Sequence, residues 1–174
     1  EDWQADVIII GGGLMGAASA FFLRKRGRSV ILLERGLVGQ QASGVNFGNV
    51  RRQGRYLPQL PLAHRSRAIW GQLNELLGED AEFLVTGHVR GVYDEAQAAV
   101  VERYASDARD WGLELEIVGG SDFRRRFPFF GPEVICGSYS PNDGHANPRL
   151  AAPAFGRAAA RAGAQVIENC EVLA

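Results

Sequence analysis

Residues 6–16 read DVIIIGGGLMG, so a run of branched apolar residues leads directly into a glycine-rich turn. An alanine-rich segment with helical character follows and stops near Gly27, and a second apolar run over residues 30–33 ends in Glu34. A strand, a glycine-rich turn, a helix and a second strand ending in an acid form the βαβ unit of dinucleotide-binding proteins. The stretch therefore predicts an α/β protein with a parallel sheet.

Each glycine of this motif has its own physical role. Gly11 allows the tight turn, Gly13 lets the main chain approach a diphosphate, and Gly16 lets the helix pack closely on the strand. The diphosphate is expected on free N–H groups at the positive end of the helix. Glu34 stands where a ribose hydroxyl would find an acceptor, and its charge disfavours the 2′-phosphate of NADP. These residues leave FAD and NAD open as alternatives.

The composition is that of an ordinary globular domain, with 46% hydrophobic and 22% charged residues among 174. A net charge of −1 gives no electrostatic reason to expect nucleic acid or an anionic membrane as the main partner. No apolar run is long enough to span a bilayer, and the first residues do not form a signal peptide. Cys136 and Cys170 form no CxxC or zinc-like cluster, which fits a reducing, cytoplasmic setting. Peripheral contact with the inner membrane is left open.

The rest of the chain alternates between helical and extended patterns. Residues 35–62 show no sustained period and are predicted to be a long loop. Helices are predicted at residues 69–77, 95–111 and 148–162, and strands at residues 83–85, 87–93, 114–118, 134–140 and 165–168. Ser121 and Asn147 are expected to be helix N-caps, and Pro153 is expected to kink or weaken the last helix.

The patterns divide the chain into two predicted domains. Residues 1–86 and 145–174 have the pattern of parallel α/β structure, whereas residues 87–144 show mixed strands with an intervening helix. We therefore expect a Rossmann-like domain, with helices on both faces of a parallel sheet, into which a mixed α+β substrate domain is inserted. The last strand follows a helix shortly before the chain stops, so we expect a piece of a longer protein.

Residues 41–52 read QASGVNFGNVRR, a segment whose small residues, amides and glycines let main-chain N–H groups approach a cofactor. The chain resembles a known family. The resemblance rests on the stretch from the GGGLMG turn through Leu33-Glu34-Arg35, on ASGVNFG at residues 42–48, and on DGHANP at residues 143–148. That family is the FAD-dependent amino-acid and amine oxidoreductases, which include D-amino-acid dehydrogenases, glycine oxidase and sarcosine oxidase. The resemblance covers nearly the whole chain and corresponds to the N-terminal part of a family member.

The resemblance implies FAD as the cofactor, and no histidine here matches a site of covalent attachment. It implies contacts with the diphosphate, the adenosine and the ribityl chain at Gly11, Gly13, Leu14, Met15, Gly16, Glu34, Arg35, Ala42, Ser43, Gly44, Asn46, Gly48, Asn49 and Val172. Arg51 falls where relatives often place a basic residue near the flavin, and it is the one implied catalytic residue. A cation there would stabilise negative charge on the reduced ring.

The resemblance implies oxidation of the C–N bond of an amino acid or secondary amine by hydride transfer to flavin N5, giving an imine that hydrolyses. It also implies an electron acceptor or partner subunits, and substrate-binding residues beyond residue 174. His64, His88 and His145 are far apart in sequence, so no metal site is predicted. Two alternatives stay open, an NAD-dependent dehydrogenase or reductase and a non-catalytic nucleotide-binding subunit of a multi-subunit oxidase. Bound flavin would discriminate between them.

Overall fold

A computed structural model describes residues 3–173, which form two compact units. Unit 1 contains the residues up to Gly48, residues Gln72–Phe83 and the residues from Ala146 onward. Unit 2 contains Asn49–Gly71 and Leu84–His145. The predicted insertion covered residues 87–144, and its role as a substrate domain stays a prediction.

Unit 1 is built on a parallel sheet of three strands in the order β1-β2-β8. Its elements are β1 (Val7–Ile10), α1 (Leu14–Lys25), β2 (Val30–Leu33), α3 (Leu73–Leu77), α6 (Pro148–Arg161) and β8 (Gln165–Ile167). The middle strand is the most deeply buried, with Val30, Ile31 and Leu32 all inaccessible to solvent or nearly so. A continuous apolar run of this kind is typical of a parallel strand covered on both faces. The predicted α/β class with a parallel sheet is confirmed.

Helices α1 and α6 pack against each other through aromatic rings. The centroids of Phe21 and Phe155 lie 6.0 Å apart, and the ring of Phe22 lies 6.1 Å from that of Phe155. Helix α1 ends at Lys25, and Gly27 follows with a φ of 76°, as its predicted role as a stop requires. Helix α6 continues through Pro153 to Arg161, and a kink at Pro153 stays a prediction.

Unit 2 contains an antiparallel sheet in the order β4-β6-β5 and a separate pair, β3-β7. Its elements are β3 (Asn49–Val50), α2 (Leu60–Trp70), β4 (His88–Val92), α4 (Glu95–Arg109), β5 (Glu116–Val118), α5 (Gly120–Arg126), β6 (Cys136–Ser140) and β7 (Gly144–His145). A short 3₁₀ turn over Leu57–Gln59 precedes α2. The predicted edge strand near residues 114–118 is confirmed as β5, which pairs with β6 alone in this sheet.

Several local predictions were wrong. The supposed loop over residues 35–62 contains β3, the 3₁₀ turn and the start of α2. The helix predicted at residues 69–77 is two helices, because the chain leaves α2 at Gly71 and re-enters helix only at Leu73. Instead of a strand at residues 83–85, the structure has a single bridge between Leu84 and His145. The N-cap of α5 is Gly119 rather than Ser121.

No helix among residues 3–173 combines the length and apolar character needed to cross a membrane.

Candidate cofactor site

The glycine-rich turn between β1 and α1 has the backbone geometry that its residues predict. Gly11 has a φ of 101°, a conformation that residues with a side chain rarely adopt. A Cβ atom added to Gly16 would collide with the carbonyl oxygen of Gly11, so only glycine lets α1 begin this close to β1. The first and third glycines of the motif are thus required by the fold itself.

The start of α1 presents main-chain donors that the described residues do not satisfy. Gly13 is the N-cap and has no side chain to accept from them. The Leu14 N–H donates to Ser43 Oγ at 2.9 Å, so the loop supplies the missing cap. Among residues 3–173, the N–H groups of Met15 and Gly16 have no hydrogen-bond acceptor. Unsatisfied donors at the positive end of a helix suit a diphosphate.

Glu34 is held in place by two main-chain N–H groups. Gly12 N–H donates to its Oε2 at 2.6 Å, and Gly36 N–H donates to its Oε1 at 2.9 Å. The residue is 8% exposed, so these bonds fix a nearly buried carboxylate. Each carboxylate oxygen has a second lone pair, which leaves Glu34 able to accept from ribose hydroxyls.

Two clefts in unit 1 meet at Glu34 and are lined by half of the predicted cofactor residues. The larger, of about 350 Å³, is lined by Ile10, Gly11, Leu33, Glu34, Arg35, Gln41, Cys170, Glu171 and Val172. The smaller, of about 190 Å³, is lined by Gly13, Glu34, Leu37, Gly39, Gln40, Gln41, Ala42 and Ser43. The larger cleft suits an adenosine and the smaller one a diphosphate beside the helix. Donors, a ribose acceptor and space therefore occur together, and these residues fit FAD.

The loop over residues 39–48 is pinned beside the turn by main-chain contacts. Gly39 N–H donates to the Gly12 carbonyl at 2.9 Å, and an added Cβ on Gly44 would collide with the Gly39 carbonyl. The Asn46 side chain accepts from Gly48 N–H at 2.8 Å and donates to the Ser43 carbonyl at 2.9 Å. Asn46 therefore shapes the loop, and a direct contact between Asn46 and the ribityl chain stays a prediction.

Sequence reasoning missed several residues that line the clefts. Gln41 borders both, and Cys170 and Glu171 border the larger one. A signal existed for all three, since Gln41 directly precedes the predicted contact Ala42, and Cys170 and Glu171 are the two residues before Val172. Gly39 gave a weaker signal, because its φ of 77° and its approach to Gly12 depend on tertiary structure. Met15 does not line either cleft, and its side chain is 81% exposed. A contact through the Met15 main chain stays a prediction.

Asn49 and Arg51 belong to unit 2. Asn49 begins β3 and pairs with His145, and Arg51 lies just beyond that strand. Arg51 Nη1 donates to the Gln53 carbonyl at 2.5 Å. Burial lowers the pKa of His88, and the nearby charge of Arg51 lowers it further. The implied roles of Asn49 and Arg51 toward a flavin stay predictions.

Residues 6–174 match the protein family described as DAO, FAD dependent oxidoreductase. The chain belongs to this family. The predicted family and its cofactor, FAD, are thereby confirmed. Among residues 3–173, no group of three or more His, Cys, Asp or Glu side chains could hold a metal ion.

Relatives in this family include enzymes named for amino acids. Glycine oxidase from Geobacillus kaustophilus (strain HTA426) is 32% identical over 96% of this chain and 46% of its own length. N-methyl-L-tryptophan oxidase from Yersinia pestis (strain Pestoides F) is 26% identical over 97% of this chain and 46% of its own length. The chain thus spans about half the length of these relatives.

Solved structures show the same fold. L-proline dehydrogenase from P. horikoshii superposes with a TM-score of 0.91 at 26% identity, over 99% of this chain and 46% of that one. The superposition covers nearly the whole chain, so it supports the α/β fold as well as the individual helices and strands.

Proposed function

We propose that the chain is the cofactor-binding part of an FAD-dependent oxidoreductase that oxidises the C–N bond of an amino acid or secondary amine. The buried Glu34 carboxylate, held by the N–H groups of Gly12 and Gly36 where two clefts meet, is the observation that carries the cofactor assignment. The substrate class is supported by the names of glycine oxidase, N-methyl-L-tryptophan oxidase and L-proline dehydrogenase.

The residues of unit 1 would hold the cofactor by charge complementarity and hydrogen bonding. Glu34 would accept from the ribose hydroxyls, and the N–H groups of Met15 and Gly16 would donate to the diphosphate. Ser43 Oγ already accepts from Leu14, so its own hydrogen is free to donate toward the same anion. The main chain at Val172 would face the adenine. FAD, when bound, supplies the acceptor for a hydride from the substrate carbon, and the imine product then hydrolyses.

We also infer the division of labour along the chain. Residues 1–86 and 145–174 would form the FAD-binding domain, and residues 87–144 would begin a substrate-binding segment. Arg51 would place a positive charge near the flavin, where charge develops on reduction. We also propose that the protein works with partner subunits or an electron acceptor and that it is located in the cytoplasm.

The experiment is an absorbance spectrum of the full-length protein before and after denaturation and filtration. We expect oxidised-flavin bands that pass the filter, which shows non-covalent flavin, and loss of those bands when an amine or amino acid is added without oxygen. A folded protein that takes up no added FAD would overturn the proposal and favour NAD or a non-catalytic role. Flavin that no amine or amino acid bleaches would overturn the substrate class alone.

Glu34→Gln tests the carrying observation. It removes the negative charge that accepts hydrogen bonds from the Gly12 and Gly36 N–H groups and that would accept from the ribose hydroxyls. Hydrogen bonds to charged groups contribute about 1.5–3 kcal/mol, so we expect about 10- to 100-fold weaker FAD binding by titration. Glu75→Gln, at an exposed carboxylate of α3, is the matched control and should bind FAD as the unmodified protein does.

A further inference from the structure

A fully buried carboxylate in unit 2 holds the segment that contains Arg51. Asp143 is 0% exposed, and its carboxylate accepts hydrogen bonds from Arg52 and Gln53, the two residues that follow Arg51. Its Oδ2 accepts from the main-chain N–H groups of Arg52 at 2.8 Å and Gln53 at 3.2 Å. Its Oδ1 accepts from Arg52 Nε, also at 2.8 Å. A buried charge with three donors is strongly directional, so it specifies one conformation of this segment.

The Gln53 side chain anchors the same segment from its other side. It is 2% exposed, accepts from Ser138 Oγ at 2.9 Å, and donates from Nε2 to the His88 carbonyl at 2.5 Å. Its Nε2 also lies 2.6 Å from His88 Nδ1, which must then act as an acceptor. Strands β4 and β6 thus fix the Gln53 side chain, while Asp143 fixes its main chain.

Arg51 is held by this anchored segment and has no counter-charge of its own. Its guanidinium donates to the carbonyl of Gln53, the residue whose N–H Asp143 accepts. Within the part of the chain that the structure describes, no carboxylate lies within ion-pair distance of Arg51. By contrast, Arg52 is neutralised by Asp143. The two neighbouring arginines therefore differ, and Arg51 alone keeps an unneutralised charge for a ligand.

We propose that Asp143 is a positioning residue, which sets the place of the Arg51 guanidinium by holding the main chain of Arg52 and Gln53. The proposal rests on the proposed function, because Arg51 is taken to act on an FAD-dependent reaction. It assigns Asp143 no contact with the cofactor or the substrate. Loss of the Asp143 charge would leave both N–H groups without a strong acceptor, so Arg51 would lose its support.

A double-mutant cycle on the full-length protein tests this coupling. Asp143→Asn should slow flavin reduction by substrate about 10- to 100-fold, since a displacement of about 1 Å can cost that much. In an Arg51→Ala background, the same change should have almost no further effect, because the two residues act as one unit. The FAD dissociation constant should stay unchanged. Equal effects of Asp143→Asn in both backgrounds would overturn the positioning role.

Amide hydrogen exchange gives a readout that needs no turnover. In the protein without added FAD, the amides of Arg52 and Gln53 should be protected, and Asp143→Asn should expose them while those of β4 stay protected. Arg52→Lys keeps a cation near Asp143 and both main-chain bonds, so it should leave the two amides protected and slow flavin reduction less than Asp143→Asn does. If Asp143→Asn does not fold, the exchange of the Arg52 and Gln53 amides in the unmodified protein decides the question. Glu116→Gln breaks another arginine–carboxylate pair of unit 2, with Arg126, and should leave the rate unchanged.

The outcomes distinguish a failure of the proposed function from a failure of the positioning role. If the unmodified protein holds no flavin that substrate reduces, the proposed function fails and the positioning role fails with it. If the flavin is reduced but the cycle is additive, or the Arg52 and Gln53 amides exchange freely before mutation, only the positioning role is overturned.

Discussion

At the scale of single residues, the strongest constraint is the close approach at Gly16. Gly16→Ala would drive a methyl group into the Gly11 carbonyl oxygen, and a main-chain atom of a tight turn has little room to move. Overpacking of this kind typically costs about 1–3 kcal/mol, and we expect that loss in the free energy of unfolding by urea titration. FAD binding should weaken as well, because the turn carries the diphosphate donors.

Gly119→Ala is the matched control for this prediction. Nothing lies within 4 Å of a Cβ added at Gly119, and its φ of −70° suits any residue. We expect a smaller cost there, limited to a poorer N-cap for α5. Equal losses at Gly16 and Gly119 would show that the approach to Gly11 does not constrain the fold.

Residue identity predicted the roles of the glycines but not the bonds around them. The GxGxxG spacing predicts which glycine turns the chain and which one packs, because those needs are local. The cap on Leu14 comes from Ser43, and one of the two donors to Glu34 is Gly12, each more than twenty residues away along the chain. No local pattern encodes such partners, since they depend on how the loop folds back over the turn.

At the scale of secondary-structure elements, Asn147 determines where α6 begins. Its Oδ1 accepts from Arg149 N–H at 3.0 Å, and its Nδ2 donates to Glu82 at 2.9 Å. Asn147→Ala removes both bonds, and loss of an N-cap costs about 0.5–2 kcal/mol. We expect a loss of that size in unfolding free energy, with faster amide exchange in the first turn of α6.

A conservative change separates the cap from the bond to Glu82. Asn147→Ser keeps an oxygen that can accept from Arg149 but cannot reach as far toward Glu82. It should retain most of the stability that Asn147→Ala loses. If both variants lose the same stability, the bond to Glu82 rather than the cap sets the start of α6.

Elements were predictable where a local signal marks their ends. Asn147 and Pro148 mark the start of α6 in the sequence, and the structure confirms it. In the helix predicted at residues 95–111, the periodic pattern of Val100, Tyr104, Ala108 and Trp111 indicates the buried face only in part. Ala108 is buried and Tyr104 packs against the core, but Val100 is 60% exposed. Helix α4 buries Ala98, Val101, Ala105 and Ala108. Small alanines give little hydrophobic signal, so the larger side chains do not mark the buried face.

At the scale of the whole molecule, the family and the α/β class followed from motifs that are spread along the chain. The grouping of residues 49–71 with 84–145 in one compact unit did not, because the linking contacts, both the apolar packing of Leu60 on Ala105 and Leu113 and the polar bonds of Asp143, are distant in sequence. The bonds of Asp143 to Arg52 and Gln53 span about ninety residues. Apolar periodicity carries no information about such a buried polar network, which adds to the apolar core of unit 2.

This network predicts how the stability of the protein depends on pH. Burial lowers the pKa of His88 from 6.5, and the Arg51 charge adds to this, while Asp143 opposes it. The unfolded chain therefore binds a proton at His88 more readily than the folded protein does. The contribution of His88 to the free energy of unfolding is fully present above about pH 6.5 and is lost as the pH falls toward the lowered pKa of the folded state.

His88→Gln removes the titrating imidazole, and with it the part of the pH dependence that His88 contributes. We expect the urea midpoint of the unmodified protein to fall more steeply below about pH 6.5 than that of the variant. The two curves should run parallel above that pH, offset by the loss of the bond between Gln53 and His88 Nδ1. Curves that stay parallel below it would show that His88 titrates alike in both states. Burial beside Arg51 would then not be holding the ring neutral.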